Sequence, residues 1–155
     1  MGIKLEEYGF IVLNFEKFWK RLCSQNREGK ANHSFVRRGV AGPKNTTKLF
    51  FYVTHPQKSI QGCADFVERI NGDAEELWKT FGHESLLKSS EEYQNFLQGR
   101  TKSTFIRFKN LKEFPNPVTP EKWQKIIGKK RMPQIGTYLT EKMVHQLLVE
   151  GGVKL

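Results

Sequence analysis

The sequence has few cysteines and few long apolar segments, and each shortage excludes a class of protein. Of 155 residues only two are cysteine, Cys23 and Cys63, and they form no C-x-x-C motif, so neither a disulfide framework nor a cysteine-rich zinc site is expected. No apolar run approaches the roughly 20 residues of a membrane-spanning helix. The first residues lack the pattern of a signal peptide, so we expect a cytoplasmic protein with no membrane partner.

Motifs of several enzyme classes are missing as well. The chain has no Walker loop, no dinucleotide-binding glycine motif, no G-x-S-x-G elbow and no H-E-x-x-H pair. Its four histidines lie on different predicted elements, without the spacing of metal ligands. We therefore expect no metal and no cofactor, and the sequence assigns no catalytic residue.

Acidic residues are fewer than basic ones, and the net charge differs between segments of the chain. With 26 lysines and arginines against 16 aspartates and glutamates, the formal net charge is +10. Residues 1–54 carry +6, residues 55–100 carry −3 and residues 101–155 carry +7. A fold that joins the two outer thirds would form a positive face, which attracts nucleic-acid phosphates. The alternative is a lysine-rich surface that only aids solubility.

Apolar periodicity predicts an α+β fold. A strand is expected over residues 8–13, with Asn14 as the cap of the amphipathic helix that follows. A short strand follows over residues 35–40, and residues 48–54 and 59–70 then predict a hairpin. Gly62 inside the second hairpin strand indicates that another group packs closely there.

The second half of the chain predicts helices around one more strand. Asp73 and Ser89 are placed to cap two helices in the acidic middle, and Thr140 to cap a closing helix. Residues 104–111 alternate as a half-buried strand with Arg107 and Lys109 on its outer face. The proline-rich residues 114–117 predict a loop, and a helix is expected to begin after Thr119.

Basic residues recur in the early strands, in the late strand and in the connector before the last helix. We predict that nucleic acid binds at Arg37, Arg38, Lys44, Lys48, Arg107, Lys109, Lys129, Lys130 and Arg131. Aromatic residues are interleaved with them and can stack on bases, although core packing is the commoner role for each. Tyr52 and Tyr138 carry a polar edge and can also line a partly wet pocket.

Cys63 and Asp65 fall on the same face of the second hairpin strand. A carboxylate on the inner face of a small barrel can act as a base or accept a hydrogen bond from a ligand amide. In the alternative interpretation, Asp65 points to solvent and Cys63 only fills the core.

Three segments together resemble a known superfamily. They are Lys48-Leu49-Phe50-Phe51-Tyr52-Val53-Thr54, then Ile60-x-Gly62-x-Ala64-x-Phe66-Val67, and Phe105-Ile106-Arg107-Phe108 ahead of Pro117-Val118. The pattern, over residues 35–138, resembles the PUA-like superfamily, and within it the EVE and ASCH domains. The resemblance implies one domain over residues 1–155 with a small, helix-decorated β-barrel. Residues 1–30 lie mostly outside it, as a possible accessory strand and helix.

The resemblance also implies a function. PUA-like domains bind RNA or DNA, with a pocket suited to a modified or flipped base. By position, Arg37, Arg38, Tyr52, Thr54 and the connector through Gln134 would border that pocket. With Asp65 and Tyr138 from the residue patterns, the expected pocket residues are Tyr52, Thr54, Asp65, Gln134 and Tyr138.

Two other functions remain open at this point. ASCH-like relatives include amidohydrolases, so the chain could be a small hydrolase of modified nucleosides, with Lys48, Thr54 and Asp65 as loose candidates for its catalytic groups. A protein-binding adaptor is the third hypothesis, in which the acidic residues 73–98 meet a basic partner.

Overall fold

The computed structural model describes residues 4–154, which form a six-stranded sheet with helices packed on it. The strands are β1 (Gly9–Asn14), β2 (Asn32–Arg37), β3 (Lys48–Val53), β4 (Ser59–Asp73), β5 (Lys102–Val118) and β6 (Thr137–Leu139). The α-helices are α1 (Glu16–Arg27), α2 (Ala74–Phe81), α3 (Ser90–Leu97), α4 (Pro120–Ile127) and α5 (Glu141–Glu150). The predicted α+β mixture is confirmed.

The strands are ordered β2-β5-β4-β3-β1-β6 across the sheet. The β1–β3 pair is parallel and the other pairs are antiparallel. The expected barrel is not closed within residues 4–154: β2 and β6 are the two edges of the ladder, and the described pairing of β6 involves only three residues of β1.

The sheet brings the two basic thirds of the chain together. β2 pairs with β5 over Asn32↔Lys109 to Arg37↔Thr104, and β1 pairs with β6 over Gly9↔Leu139 to Ile11↔Thr137. The prediction that the first and last thirds meet is thus confirmed. β1 lies between β3 and β6, so the first strand is an inner strand of the sheet.

The β3–β4 hairpin confirms both its prediction and the close packing at Gly62. Trp19 of α1 lies over this glycine: a Cβ added there would be 2.5 Å from Trp19 Cη2 and 2.7 Å from the carbonyl oxygen of Lys112. The glycine therefore lets α1 approach the sheet.

The predicted loop at residues 114–117 is wrong, because β5 continues through these residues to Val118. Val118 pairs with Ile60, and the register between β4 and β5 shifts between Ile60 and Gly62. This irregularity accommodates the two prolines, which cannot donate to the ladder.

Three of the predicted helix caps are confirmed, Thr119 occupies the predicted cap position of α4 without a side-chain hydrogen bond, and the cap at Asn14 is wrong. Asp73, Ser89 and Thr140 each accept a hydrogen bond from the backbone N–H three residues later. Asn14 does not cap α1. It is the last residue of β1, in register with Val53, and the helix begins at Glu16, with Phe15 at the cap position.

The core occupies both faces of the sheet. On one face Val12, Phe51 and Phe108 pack against α1, and on the other Ile11, Phe50 and Cys63 pack against α4 and α5. Among the residues described, no helix is long and apolar enough to cross a membrane.

Candidate functional site

A cavity of about 590 Å³ lies where β1 and β3 end. The two strands are parallel, so their carboxyl ends are side by side, and the backbone N–H of Thr54 donates to the carbonyl of Asn14 at 3.0 Å. Residues 35–37 of β2 also contribute to the lining. The cavity therefore lies beside the carboxyl ends of β1, β3 and β2.

Aromatic rings make up much of the wall. Phe15 immediately precedes α1, Phe18 lies in its first turn, Phe35 comes from β2 and Phe96 from α3. The volume is within the ~300–1,000 Å³ typical of small-molecule sites. Such a space can hold a flat, partly apolar group stacked between rings.

Six polar side chains interrupt this apolar wall: Asn14, Arg37, Arg38, Thr54, Ser85 and Gln134. The lining includes two arginines and no carboxylate. The cavity is therefore positively charged, which suits an anionic or hydrogen-bond-accepting ligand.

Arg37 is the more buried of the two arginines. Its Nε has no hydrogen-bond partner among the described residues, and its guanidinium lies 5.4 Å from the centre of the Phe35 ring. Burial lowers the pKa of Arg37, because the charged form has lost water. The side chain is thus a desolvated cation with unused donor capacity.

Arg38 is exposed at the mouth of the cavity. Its Nη1 donates to Oε1 of Gln98 at 2.7 Å, and its guanidinium lies 5.3 Å from the centre of the Phe96 ring. These contacts hold the cation beside the opening, where a phosphate outside the cavity can reach it.

Three exposed apolar residues either line the cavity or are adjacent in the chain to residues that do. Phe15 lines it and is 67% exposed, Val40 lies in the chain between lining residues Gly39 and Ala41 and is 64% exposed, and Ile135 follows Gln134 and is 71% exposed.

The loop that carries Val40 is fixed by two side chains of the sheet. Arg69 Nη1 of β4 donates to the carbonyls of Val40 and Gly42, at 3.0 and 3.1 Å. The backbone N–H of Lys44 donates to the Tyr138 hydroxyl at 3.2 Å, and Tyr138 packs edge-on against Phe10. The loop is thus tied to β4 and β6.

Two of the five predicted pocket residues, Thr54 and Gln134, line the cavity, and the other three lie outside it. Tyr52 is buried on the opposite face against Trp123. Asp65 is bonded to Lys48 and Asn110, and Tyr138 supports the loop from β6. Alternation holds along β3: Phe50 and Tyr52 pack in one core cluster and Phe51 and Val53 in the other, so Tyr52 turns away from the cavity.

The nine predicted basic residues divide into three groups. Arg37 and Arg38 line the cavity, while Lys44, Lys109, Lys129, Lys130 and Arg131 are exposed. Lys48 pairs with Asp65 at 2.6 Å, and Arg107 pairs with Glu84 and Glu68. The last two cations are therefore already neutralised by acids of the chain.

Sequence reasoning missed several residues of this cavity, above all Asn14, Phe15, Phe18, Phe35 and Phe96. Phe15 and Phe18 fall at helical spacing with Trp19 and Leu22, a pattern that is typical of core residues. In the structure α1 begins at Glu16 and leaves the Phe15 ring outside its buried stripe, a boundary that the spacing does not indicate.

Within residues 4–154 no group of three or more His, Cys, Asp or Glu side chains is arranged to hold a metal ion. Both cysteines are buried, and burial raises the pKa of Cys23 to about 12 and of Cys63 to about 11. Neither thiol is therefore activated as a nucleophile.

Comparisons with known proteins agree with this architecture. A curated protein of Zymomonas mobilis, named "ASCH domain-containing ribonuclease", is 25% identical over 130 residues, covering 84% of this chain and 86% of the relative. The crystal structure of ASCH from Zymomonas mobilis superposes with a TM-score of 0.75 at 22% identity, covering 92% of this chain and 95% of that one.

A variant of that protein, with one serine replaced by alanine, superposes with a TM-score of 0.76 at 23% identity, covering 94% of this chain and 98% of the other. These similarities confirm the ASCH fold of the PUA-like superfamily. Residues 14–132, which include β2, β3 and the last residue of β1, match the family described as "Domain of unknown function (DUF365)". The chain therefore belongs to the DUF365 family and has an ASCH-type, PUA-like fold.

Proposed function

We propose that this protein binds single-stranded RNA and takes one unpaired base into the cavity at the ends of β1 and β3. The observation that carries the proposal is the lining itself: four phenylalanines, two arginines and no carboxylate around a space of about 590 Å³. Proteins recognise unpaired bases by stacking them on aromatic rings and on guanidinium planes.

The charge around the opening supports a polyanionic ligand. Arg38 stands at the mouth, and Arg131, Lys129 and Lys130 are exposed on the connector that reaches the cavity at Gln134. Cations in this position neutralise phosphates and release counterions. The relative's name, which refers to a ribonuclease, favours RNA over DNA as the ligand.

A modified base is the finer part of the proposal. The lining has both apolar rings and unbonded polar groups, so a substituent on the base can be held beside the ring that stacks. A panel of single-stranded RNAs with methylated or acetylated bases, compared with the unmodified sequence, tests this part.

Binding at several salt concentrations tests the main proposal. Affinity for a fluorescent single-stranded RNA should fall steeply as salt rises, and the Arg38→Gln variant should bind more weakly with a logarithmic salt slope reduced by about 1. Lys122→Gln is the matched control, because Lys122 is on α4 and pairs with Glu150 at 3.4 Å. Absence of RNA binding at low salt would contradict the proposal, and equal binding of DNA of the same sequence would contradict the preference for RNA.

Ribonuclease activity is a second candidate, because the relative that bears this name is similar over 84% of this chain. The cavity lining has no histidine and no carboxylate that could act as a general base. We therefore expect the bound RNA to stay intact over hours. RNA fragments on a gel that form with the wild type and not with Arg37→Gln would contradict this expectation.

The amidohydrolase hypothesis has less support. Its candidates Lys48 and Asp65 are paired with each other at the start of β3, whereas Thr54 follows the end of β3 and lines the cavity. Six residues of extended chain separate Lys48 from Thr54 by about 20 Å. Release of acetate from acetylated nucleosides would support the amidohydrolase hypothesis.

A further inference from the structure

The connection between β2 and β3 crosses the sheet instead of turning back along it. β5 and β4 lie between these two strands, so the connecting residues must pass over both. They pass on the face that carries α1, because a Cβ added at Gly42 would lie 2.8 Å from Cδ1 of Ile106, which packs in the same core cluster as the buried residues of α1. We call residues 38–44 of this connection the strap. Three residues of the strap line the cavity: Arg38, Gly39 and Ala41.

Side chains of the strands beneath the strap hold its backbone. Thr104 of β5 donates from Oγ1 to the carbonyl of Gly39. Arg69 of β4 donates from Nη1 to the carbonyls of Val40 and Gly42, at 3.0 and 3.1 Å. Among the described residues no backbone-to-backbone hydrogen bond involves residues 38–44. The position of the strap therefore depends on these side chains.

Arg69 is the cation among these anchors, and it has no acidic partner. Within residues 4–154 no carboxylate oxygen lies within 4 Å of its guanidinium, whereas the neighbouring Glu68 pairs with Arg107. A charged donor forms a stronger hydrogen bond to a carbonyl than a neutral donor does. The cation of Arg69 thus serves to hold two carbonyl groups of the strap.

We propose that Arg69 is a positioning residue of the RNA site, an inference that rests on the proposed RNA binding. Arg69 fixes the strap so that Arg38, which is exposed at the mouth, meets the phosphate next to the base in the cavity. Arg69 itself is outside the cavity lining and acts through the strap. The carbonyl of Arg38 accepts a long hydrogen bond, 3.4 Å from Nη1 of Arg100, so its place depends on the anchors further along the strap.

A double-mutant cycle on binding of the fluorescent single-stranded RNA tests this role. The proteins are the wild type, Arg38→Gln, Arg69→Met and the double variant. At about 0.1 M salt Arg69→Met should weaken binding roughly 3- to 10-fold, as Arg38→Gln should, because each loses the same phosphate contact. The double variant should bind like Arg38→Gln to within about twofold. Losses that multiply in the double variant would overturn the inference, because the two cations would then act independently.

Limited digestion with trypsin measures the strap without RNA. Trypsin cleaves after Arg38 and Lys44, the two basic residues of the strap. Arg69→Met should be cleaved at these two bonds several-fold faster than the wild type, because the strap opens locally more often. Lys142→Met is the matched control, since it removes an exposed cation of α5 on the opposite face of the sheet. Equal cleavage of Arg69→Met and the wild type would overturn the inference.

The variant Arg69→Lys separates the position of the strap from the charge beneath it. Lysine keeps the charge and can still donate to carbonyls, so it should restore most of the RNA binding and most of the resistance to trypsin. Recovery of binding alone, with the strap as sensitive as in Arg69→Met, would overturn the inference, because charge would then explain the effect.

Thermal unfolding excludes a general structural role. Arg69→Met should melt within about 4 °C of the wild type, because water can replace the lost donor at the exposed carbonyl of Val40. A larger fall would assign Arg69 to the stability of the whole fold and overturn the inference.

The inference and the function on which it rests fail in different ways. If the wild type binds the RNA and Arg69→Met binds it equally well, only the role of Arg69 is overturned. If the wild type binds no RNA at low salt, the proposed function and the positioning role are overturned together, whatever the digestion shows.

Discussion

Arg107 and Glu84 form a two-pronged ion pair inside the protein. Nε and Nη2 of the arginine each donate to the glutamate carboxylate at 2.9 Å, and Glu84 is 3% exposed. Ser34 of β2 donates to the same carboxylate at 2.9 Å. The pair thus fastens the turn after α2 to the β2–β5 edge of the sheet, and it withdraws Arg107 from the surface that a nucleic acid could reach.

Replacing Arg107 with glutamine should lower the free energy of unfolding by about 3–5 kcal/mol, because Glu84 would be left as an unpaired buried charge. Lys109→Gln, two residues along β5 and exposed, is the matched control and should change stability by less than about 0.5 kcal/mol. Urea denaturation measures both. Equal losses in the two variants would contradict the assignment of Arg107 as a structural cation.

His33 should make the protein less stable as the solution is acidified below neutrality. Burial, assisted by the positive charge of Lys30, lowers the pKa of His33 from 6.5 to about 4, against a smaller opposing effect of Glu84. Between these two pKa values His33 is therefore protonated in the unfolded chain and neutral in the folded protein. Stability should be full above pH 6.5 and should decline as pH falls from 6.5 to about 4.

The variant His33→Gln provides the test of this pH dependence. Denaturation curves between pH 7 and pH 4.5 should show a shallower decline than in the wild type. Glu84 and Asp65 also have lowered pKa values, because they pair with Arg107 and Lys48. Their effect on stability falls at lower pH, so the change in stability between pH 7 and pH 4.5 comes largely from the histidine. Parallel curves for the two proteins would be evidence against a neutral buried His33.

Adding one methyl group at Gly62 should destabilise the protein by about 1–3 kcal/mol, because Trp19 and the Lys112 carbonyl occupy the space that the new Cβ needs. Gly39→Ala is the control, since nothing lies within 4 Å of a Cβ at that position. Thermal or urea unfolding measures the difference. A Gly62→Ala protein as stable as Gly39→Ala would show that α1 can move away from β4 at little cost.

Phe15→Ala should weaken RNA binding by about 1–3 kcal/mol and leave folding almost unchanged. The ring is 67% exposed at the cavity, and the cap position it occupies makes no side-chain hydrogen bond. Val149→Ala, on α5 with 56% exposure, removes a comparable exposed apolar side chain outside the cavity lining. If both variants bind RNA like the wild type, Phe15 does not stack on a base.

Patterns of neighbouring residues were sufficient to predict most helices and strands. The lining of the cavity depends on contacts between residues that are far apart in the sequence. The caps at Asp73, Ser89 and Thr140 depend on residues three positions away, so the sequence alone was sufficient for them. Asn14 has the same chemistry as a cap. It became a strand end because the backbone pairing with Val53 extended β1 to include it.

The basic residues show the same limit. Nothing near Arg107 in the sequence indicates that Glu84 will neutralise it, because the two meet only when the turn after α2 packs on β5. Arg37 looks identical in the sequence yet has no acidic partner among the described residues. Charge counting therefore identifies the basic segments, and contacts between residues distant in sequence decide which of their cations are paired with acids of the chain.

The order of the strands also has a consequence for synthesis on the ribosome. β1, β3 and β4 can pair as soon as residues 9–73 have emerged, but β2 finds its partner only when β5, beginning at Lys102, has been made. Until then the apolar side chains of Phe35 and Val36 have no strand beside them, a state in which nascent chains are prone to aggregate. The cavity, which needs β2 and Gln134, is thus among the last parts of the molecule to be completed.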